Sequence, residues 1–157
     1  MALYHERVWA MRKDYAQDQI NAISLLARLE LAGVEVGETW ADIATWIAPR
    51  RTDTVDGFLD LHYAYALARA GELAGVQDLI GARRASESTC PTRRIARIAV
   101  EGVAAYASGD KATAVNKLGS VATRLALLGG STVQRHLFAA MLTDAQRAGS
   151  PTIDLAA

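Results

Sequence analysis

The chain has little cysteine and little proline: one cysteine, Cys90, and three prolines among 157 residues. A single cysteine excludes an internal disulfide and a cysteine-based zinc cluster, and it is typical of a reducing compartment. The prolines fall outside the interiors of the predicted helices, where proline would remove a backbone donor and clash with the preceding turn. The sequence also lacks an apolar run of transmembrane length and a signal-peptide pattern. We therefore expect a cytoplasmic protein.

An excess of charge of either sign is absent too. Seventeen acidic residues balance seventeen basic ones, so no global field attracts nucleic acid or an anionic membrane, and we expect neither as a partner. The charge is nevertheless uneven: residues 1–62 hold ten acidic and six basic residues, and residues 63–157 hold seven and eleven. The two parts therefore carry opposite formal charges of about four units each.

No catalytic or metal-binding signature is present in the sequence. No His/Glu spacing fits a metal site, and no glycine-rich loop follows a strand. Cys90 precedes Pro91 in a predicted loop with no base beside it, which argues against a nucleophile. We therefore predict no catalytic residue and no cofactor, and the sequence favours a binding role over an enzymatic one.

What the sequence does contain is a repeated helical hairpin, clearest between Thr92 and Leu128. Apolar residues recur there at steps of three and four, which places them on one face of a helix. Gly109 is predicted to end the first helix in the left-handed conformation, and Asp110 suits the positive N-terminus of the next helix.

Glycines at matching positions divide the rest of the chain. Gly33, Gly71, Gly109 and Gly149 each follow alanine or serine at the end of a helical pattern, with spacings of 38, 38 and 40 residues. Such a period is typical of solenoids built from helical hairpins. We therefore predict an all-α fold in which antiparallel hairpins stack as a short TPR-like (tetratricopeptide-like) α-solenoid, with residues 1–157 as one domain. The predicted helices cover about 3–11 (extended at most to 15), 18–32, 38–48, 56–70, 72–85, 92–108, 110–128 and 131–148, and Ser150-Pro151 starts a last short turn.

Three blocks of the sequence resemble the C-terminal half of the tetratricopeptide repeat protein 38 family. Residues 22–40 (AISLLARLELAGVEVGETW) are similar to that family's SLLWRLELAGVDVGDRW segment. Residues 58–71 (FLDLHYAYALARAG) and 131–149 (STVQRHLFAAMLTDAQRAG) are similar to its FNDxHxxxAxxxAG and SQRDxFxxxLxxAxxxAG helices. The chain departs from the pattern at Ala27 and Leu59, where tryptophan and asparagine are usual, and it has one extra residue between Ser131 and Gln134. The resemblance implies a fold of α-hairpin repeats and no established activity.

Five residues are candidates for a partner- or ligand-binding site: Trp40, Asp60, His62, Gln134 and Arg135. Asp60 and His62 lie two apart on one helix, so their side chains diverge by about 200° and do not form a proton-transfer pair. The alternative for them is structural, with Asp60 near a helix N-terminus and His62 packed in an interface. Arg135 is unfavourable at a helix N-terminus, which indicates a salt bridge or an anionic ligand, unless it is simply solvated.

Aromatic and basic residues are clustered along the chain. Eight of the ten aromatic residues fall in the first 65 residues, where they line a pocket or form the core. Five arginines surround the linker at 86–91 and form either a basic patch or a solvated turn: Arg83, Arg84, Arg93, Arg94 and Arg97.

Three kinds of function fit these observations. The first is a protein-interaction module, a scaffold or adaptor that holds a protein partner on the concave face of the stacked hairpins. The alternative is a small-molecule-binding protein or enzyme with a pocket between hairpins. The third is a structural subunit that assembles through its solenoid ends. Because an uncapped solenoid leaves an apolar end face, we also predict a homodimer.

Overall fold

The described part of the computed structural model comprises residues 1–9, 12–54, 56–87 and 90–148. Within these residues there are seven α-helices and no strand, which confirms the all-α prediction. The helices are α1 (Ala16–Leu31), α2 (Thr39–Ile47), α3 (Gly57–Arg69), α4 (Leu73–Ser86), α5 (Pro91–Ala107), α6 (Lys111–Val121) and α7 (Thr132–Ala148). None of them combines the length and the apolar character needed to cross a membrane.

The glycine turns that the sequence predicts are present at the ends of α1, α3 and α5. Gly33, Gly71 and Gly109 have φ values of 80°, 77° and 88°, and each lies in the left-handed region. At each turn the amide of the next residue donates to a carbonyl five residues back, as in Asp110 N to Ala105 O at 2.9 Å. This is the Schellman arrangement, which satisfies the last carbonyl groups of a helix. The predicted turn at Gly149 and the predicted start at Ser150-Pro151 lie outside the described residues.

Aspartate side chains cap the starts of α3 and α6. Asp56 accepts hydrogen bonds from the amides of Phe58 and Leu59, and Asp110 accepts one from Thr113 at 3.0 Å. Such caps satisfy amide groups that have no partner within the helix. Their presence explains why α3 and α6 begin within a residue of the predicted positions.

Two predicted helices are shorter than expected. The N-terminal helix predicted for 3–11 is a π-helical turn, Tyr4–Val8, and Asp14 lies in a turn. The indole of Trp9 is buried and donates to Asp42 at 2.5 Å, a contact with α2 that sets the path of the chain here. The helix predicted for 110–128 ends at Val121, and a 3₁₀ segment, Ala122–Leu128, follows.

Helix α3 lies at the centre of the core. Ten of its thirteen residues are buried, because α1, α2, α4 and α5 all pack against it. Helix α7 covers the remaining side: the ring of Phe138 contacts Phe58 and His62, and α7 also packs on α1, α5 and α6. Helices α5 and α6 approach each other closely, and a Cβ on Gly102 would lie 3.0 Å from the backbone nitrogen of Leu118.

Candidate functional site

A polar pocket of about 390 Å³ lies where α1, α3 and α5 end and α6 begins. We call it the turn-end pocket. Its lining consists of Glu30, Leu31, Tyr65, Arg69, Tyr106, Ala107, Ser108, Gly109, Lys111 and Asp144. The repeated glycine turns bring these helix ends together, and Asp144 reaches the pocket from the last turns of α7.

Glu30 holds one side of the pocket. Arg69 donates to both of its carboxylate oxygens, with Nη2 2.7 Å from Oε1 and Nε 3.1 Å from Oε2. Tyr65 donates to Oε2 at 2.8 Å, and Trp40 donates to Oε1 at 3.0 Å. The hydrogen bond to Glu30 raises the pKa of Arg69, and burial together with the bond to Glu30 raises the pKa of Tyr65. Both oxygens of Glu30 are therefore occupied by protein donors.

Asp144 and Lys111 hold the other side. The hydroxyl of Tyr106 and the ammonium of Lys111 each lie 2.8 Å from Asp144 Oδ2. The Lys111 ammonium also lies 3.8 Å from the centre of the Tyr106 ring, which is a cation–π contact. The hydrogen bonds from Lys111 and Tyr106 lower the pKa of Asp144. Oδ1 of Asp144 accepts no hydrogen bond from the described residues.

Two stacked tyrosine rings connect these ion pairs. Tyr65 and Tyr106 have ring centroids 6.3 Å apart at an interplanar angle of 24°. Trp40 packs edge-on against Tyr65 at 5.4 Å from behind the pocket and is itself buried. The rings are thereby fixed in position, and their hydroxyl groups are committed to Glu30 and Asp144.

The two ion pairs present opposite charges to solvent. In the first pair, the Arg69 side chain is 41% exposed and Glu30 only 15%. In the second pair, Asp144 is 48% exposed and Lys111 32%. The outward groups are therefore a guanidinium on the α3 side and a carboxylate on the α7 side.

Of the five candidate residues from the sequence, only Trp40 supports this pocket. Asp60 is buried and pairs with Arg83, which is buried as well. Burial raises the pKa of Asp60 to about 6, although the hydrogen bond from Arg83 opposes that shift. Asp60 is therefore a core residue held by a partner on α4.

His62 is completely buried between the rings of Phe58 and Phe138. Its Nδ1 lies 3.0 Å from the carbonyl oxygen of Phe58, which can only accept, so Nδ1 carries the proton. Nε2 has no hydrogen-bond partner among the described residues. Burial lowers the pKa of His62 to about 4, so the ring is neutral at physiological pH.

Gln134 and Arg135 organise the start of α7. Ser131 and Gln134 exchange hydrogen bonds between side chain and backbone at 3.2 and 2.8 Å, which is a capping box. Arg135 donates to the carbonyl groups of Gly129 and Gly130, so neither a salt bridge nor an anion is needed to explain it. Gln134, Arg135, Asp60 and His62 are not among the residues that line the turn-end pocket.

The arginines near the second linker are mostly paired with acidic residues. Arg84, Arg97 and Lys117 all contact Glu101 at 2.7 to 3.0 Å. Burial alone would raise the pKa of Glu101, but the hydrogen bonds from these three residues lower it to about 2. Arg84 and Arg97 are therefore paired with acidic side chains, whereas Arg93 donates to the carbonyl of Ser86.

Sequence reasoning missed the residues that build the turn-end pocket. A signal was available, because Glu30 and Tyr106 each lie three residues before a turn glycine and Arg69 lies two before one. Aligning the hairpins on their glycines places all three side chains at the same end of the molecule. No group of three or more His, Cys, Asp or Glu side chains in the described ranges is placed to hold a metal ion.

Compared with known proteins, the chain matches no family model, and no solved structure gives a significant match. The resemblance to the tetratricopeptide repeat protein 38 family therefore stays a prediction.

Proposed function

We propose that the protein binds a small ligand in the turn-end pocket, the alternative that the sequence placed second. The observation that carries this proposal is the unused hydrogen-bonding capacity in the pocket. Arg69 Nη1 and Asp144 Oδ1 have no hydrogen-bond partner in the described part of the chain, although both side chains line one cavity. Polar groups that converge on a concave pocket are typical of ligand sites.

The packing of α7 on α1 and α5 favours the pocket over a peptide groove on the concave face of the predicted stack. A partner on the concave face would have to contact α1, α3 and α5 on the side where α7 already packs. Arg28 of α1 donates to the carbonyl of Val133 at 2.7 Å, and Phe138 packs on His62 of α3. Displacing α7 would break that hydrogen bond and expose the buried ring of Phe138, which costs free energy.

The test is a ligand screen followed by NMR in solution. A metabolite library is added to ¹⁵N-labelled protein, and we expect at least one compound to shift the amides of Ser108 and Gly109 saturably. Arg69→Gln is expected to weaken that binding. Arg51→Gln is the matched control, because Arg51 forms an exposed ion pair with Asp78 outside the turn-end pocket. Absence of any saturable shift at the pocket would remove the support for this function.

A protein-interaction module remains the second candidate, and an exposed aromatic surface favours it. We call the group Arg12, Lys13, Tyr15 and Trp46 the aromatic surface. Tyr15 and Trp46 are 51% and 43% exposed, and cationic side chains lie 5.2 and 5.9 Å from their ring centres. Tryptophan, tyrosine and arginine are the residues that most often dominate binding energy at interfaces.

The interaction module is tested by comparing variants in pull-downs from native extract. A specific partner of the wild-type protein should be lost with Trp46→Ser and retained with Leu73→Ser, which alters another exposed apolar side chain. A partner that survives Trp46→Ser would exclude this surface as its binding site.

We also propose that the hairpins stack in the tetratricopeptide manner within one domain, as the glycine spacing and the resemblance indicate. The three equivalent Schellman turns support this arrangement. A crystal structure in which α1, α3 and α5 do not follow one another with a constant rotation would contradict it.

A further inference from the structure

The free donor and the free acceptor of the turn-end pocket belong to different helices, α3 and α7, and we call the two sides the α3 wall and the α7 wall. On the α3 wall, Arg69 uses Nε and Nη2 for Glu30 and keeps Nη1 free. A guanidinium edge is well suited to a ligand carboxylate, because its N–H groups match the two oxygen atoms. Glu30 does not compete for this role, since its oxygens already accept bonds from Arg69, Tyr65 and Trp40.

On the α7 wall, Asp144 offers Oδ1, a negatively charged oxygen atom that is free to accept a hydrogen bond. The C-terminal end of α5 lines the same part of the pocket through Ala107, Ser108 and Gly109. A helix C-terminus carries partial negative charge and favours a cation beside it. Lys111 supplies positive charge to this wall, but its ammonium is occupied by Asp144 Oδ2 and by the face of the Tyr106 ring.

The balance of charge excludes a simple ion as the best ligand. Glu30 and Asp144 offset Arg69 and Lys111, so the four groups sum to zero formal charge. A lone anion would meet the exposed carboxylate of Asp144, and a lone cation would meet the exposed guanidinium of Arg69. A ligand that carries both charges can pair with Arg69 through its anionic group and with Asp144 through its cationic group.

We propose that the turn-end pocket binds a zwitterion of the α-amino acid class, with the carboxylate on Arg69 and the ammonium on Asp144. The volume of about 390 Å³ is near the lower end for ligand sites and fits a molecule of this size. The buried, stacked rings of Tyr65 and Tyr106 line the pocket and hold the residues that bind their hydroxyl groups, Glu30 and Asp144, in place. This inference rests on the proposed function and names its ligand class.

The experiment is an NMR titration of the full chain with L-alanine, L-leucine and L-phenylalanine at constant ionic strength. Acetate and methylammonium serve as probes with one charge, and N-acetyl and methyl-ester derivatives of each amino acid block one end. We expect at least one amino acid to shift the Ser108 and Gly109 amides saturably. Blocking either end should weaken binding about tenfold or more, as the loss of one charged hydrogen-bond pair requires.

Variants test which residue binds each charged group of the ligand. Arg69→Gln and Asp144→Asn should each weaken binding about tenfold, and Arg69→Lys should retain part of it because the charge remains. Arg51→Gln and Asp78→Asn, which alter an exposed ion pair elsewhere, should bind as the wild type does. Circular dichroism confirms that each variant is folded before it is titrated.

Three results would overturn the zwitterion. They are no saturable shift with any of the three amino acids up to about 10 mM, acetate or methylammonium binding as tightly as the amino acid, and unchanged binding in both pocket variants. If a compound of another class binds the pocket and the amino acids do not, the proposed function stands and this inference fails. If nothing binds the pocket, both fail.

Discussion

At the scale of single residues, the ion pair of Asp60 and Arg83 gives the sharpest prediction. Both side chains are buried, so the replacement of one leaves the other without compensation. Asp60→Asn or Arg83→Met is expected to lower the free energy of unfolding by about 3–5 kcal/mol. Asp60→Leu combined with Arg83→Met should recover most of that loss, since no buried charge remains. Urea unfolding followed by circular dichroism measures these changes.

The control for this prediction is an exposed ion pair. Arg51→Gln breaks the contact with Asp78, where both side chains are more than a third exposed, and should change stability by less than about 1 kcal/mol. If the double variant lost as much stability as the two single variants together, Asp60 and Arg83 would not be stabilising each other's buried charge.

His62 is expected to make the fold sensitive to mild acid. Its pKa is lowered to about 4 in the folded state by burial, while an unfolded histidine titrates near 6.5. The unfolded chain therefore binds a proton first as the pH falls, and stability present above pH 6.5 is lost between pH 6.5 and 4. Between pH 7 and 5 this amounts to about 2 kcal/mol.

His62→Phe isolates this effect, since the variant lacks the titrating group. The comparison is needed because Asp60, whose pKa is raised, has the opposite effect on stability. As the pH falls through 6, its protonation favours the folded state over the unfolded one. We expect the wild type to lose more stability than His62→Phe between pH 7 and 5 in urea unfolding. Equal losses would show that His62 is accessible to protons in the folded state.

The roles of Asp60 and His62 depend on tertiary contacts that could not be predicted from the sequence. Arg83 lies 23 residues after Asp60 on another helix, and the two meet only because α3 and α4 pack together. The Phe138 ring that covers His62 is on α7. Helical periodicity predicts which side of α3 a residue occupies, but not which partner it meets there.

At the scale of the elements, Gly109 tests the turn that ends α5. Its φ of 88° is strained for any residue with a Cβ, although no atom within 4 Å would block one. Gly109→Ala is therefore expected to destabilise the protein by about 1 kcal/mol through the backbone alone. Thermal unfolding measures the change.

Gly119 provides the matched control. It lies inside α6, has ordinary helical φ and is exposed, and a Cβ added there would have no atom within 4 Å. Gly119→Ala should stabilise the protein by about 0.5–1 kcal/mol, because alanine is the better helix former. If both substitutions had the same sign, the left-handed turn would not be the cause.

Helix boundaries were predictable where a local rule fixes them, and not where a distant contact does. Glycine turns and polar caps are local, so the ends of α3 and the start of α6 were predicted within a residue or so. The N-terminal segment differs, because Trp9 is held by Asp42, 33 residues further along. The turn-end pocket also depends on contacts between residues that are distant in the sequence. Glu30 and Arg69 are 39 residues apart, and Tyr106 and Asp144 are 38 apart.

At the scale of the whole molecule, the prediction that remains is self-association as a homodimer. The opposite charges of residues 1–62 and 63–157 favour an antiparallel pair in which each acidic part faces a basic one. The aromatic surface gives such a pair an exposed contact in Tyr15 and Trp46. Because charge attraction between exposed groups is screened beyond about 10 Å at 0.1 M salt, the dimer should weaken as salt is added.

Light scattering at micromolar concentration measures this directly. The expected mass is about twice the 16.8 kDa of the chain, and it should fall towards the single-chain value on dilution, in high salt and in Trp46→Ser. Leu73→Ser, on α4 and outside the aromatic surface, should leave the mass unchanged. A mass equal to one chain at every concentration would exclude the homodimer, and the aromatic surface would then be available to a different protein.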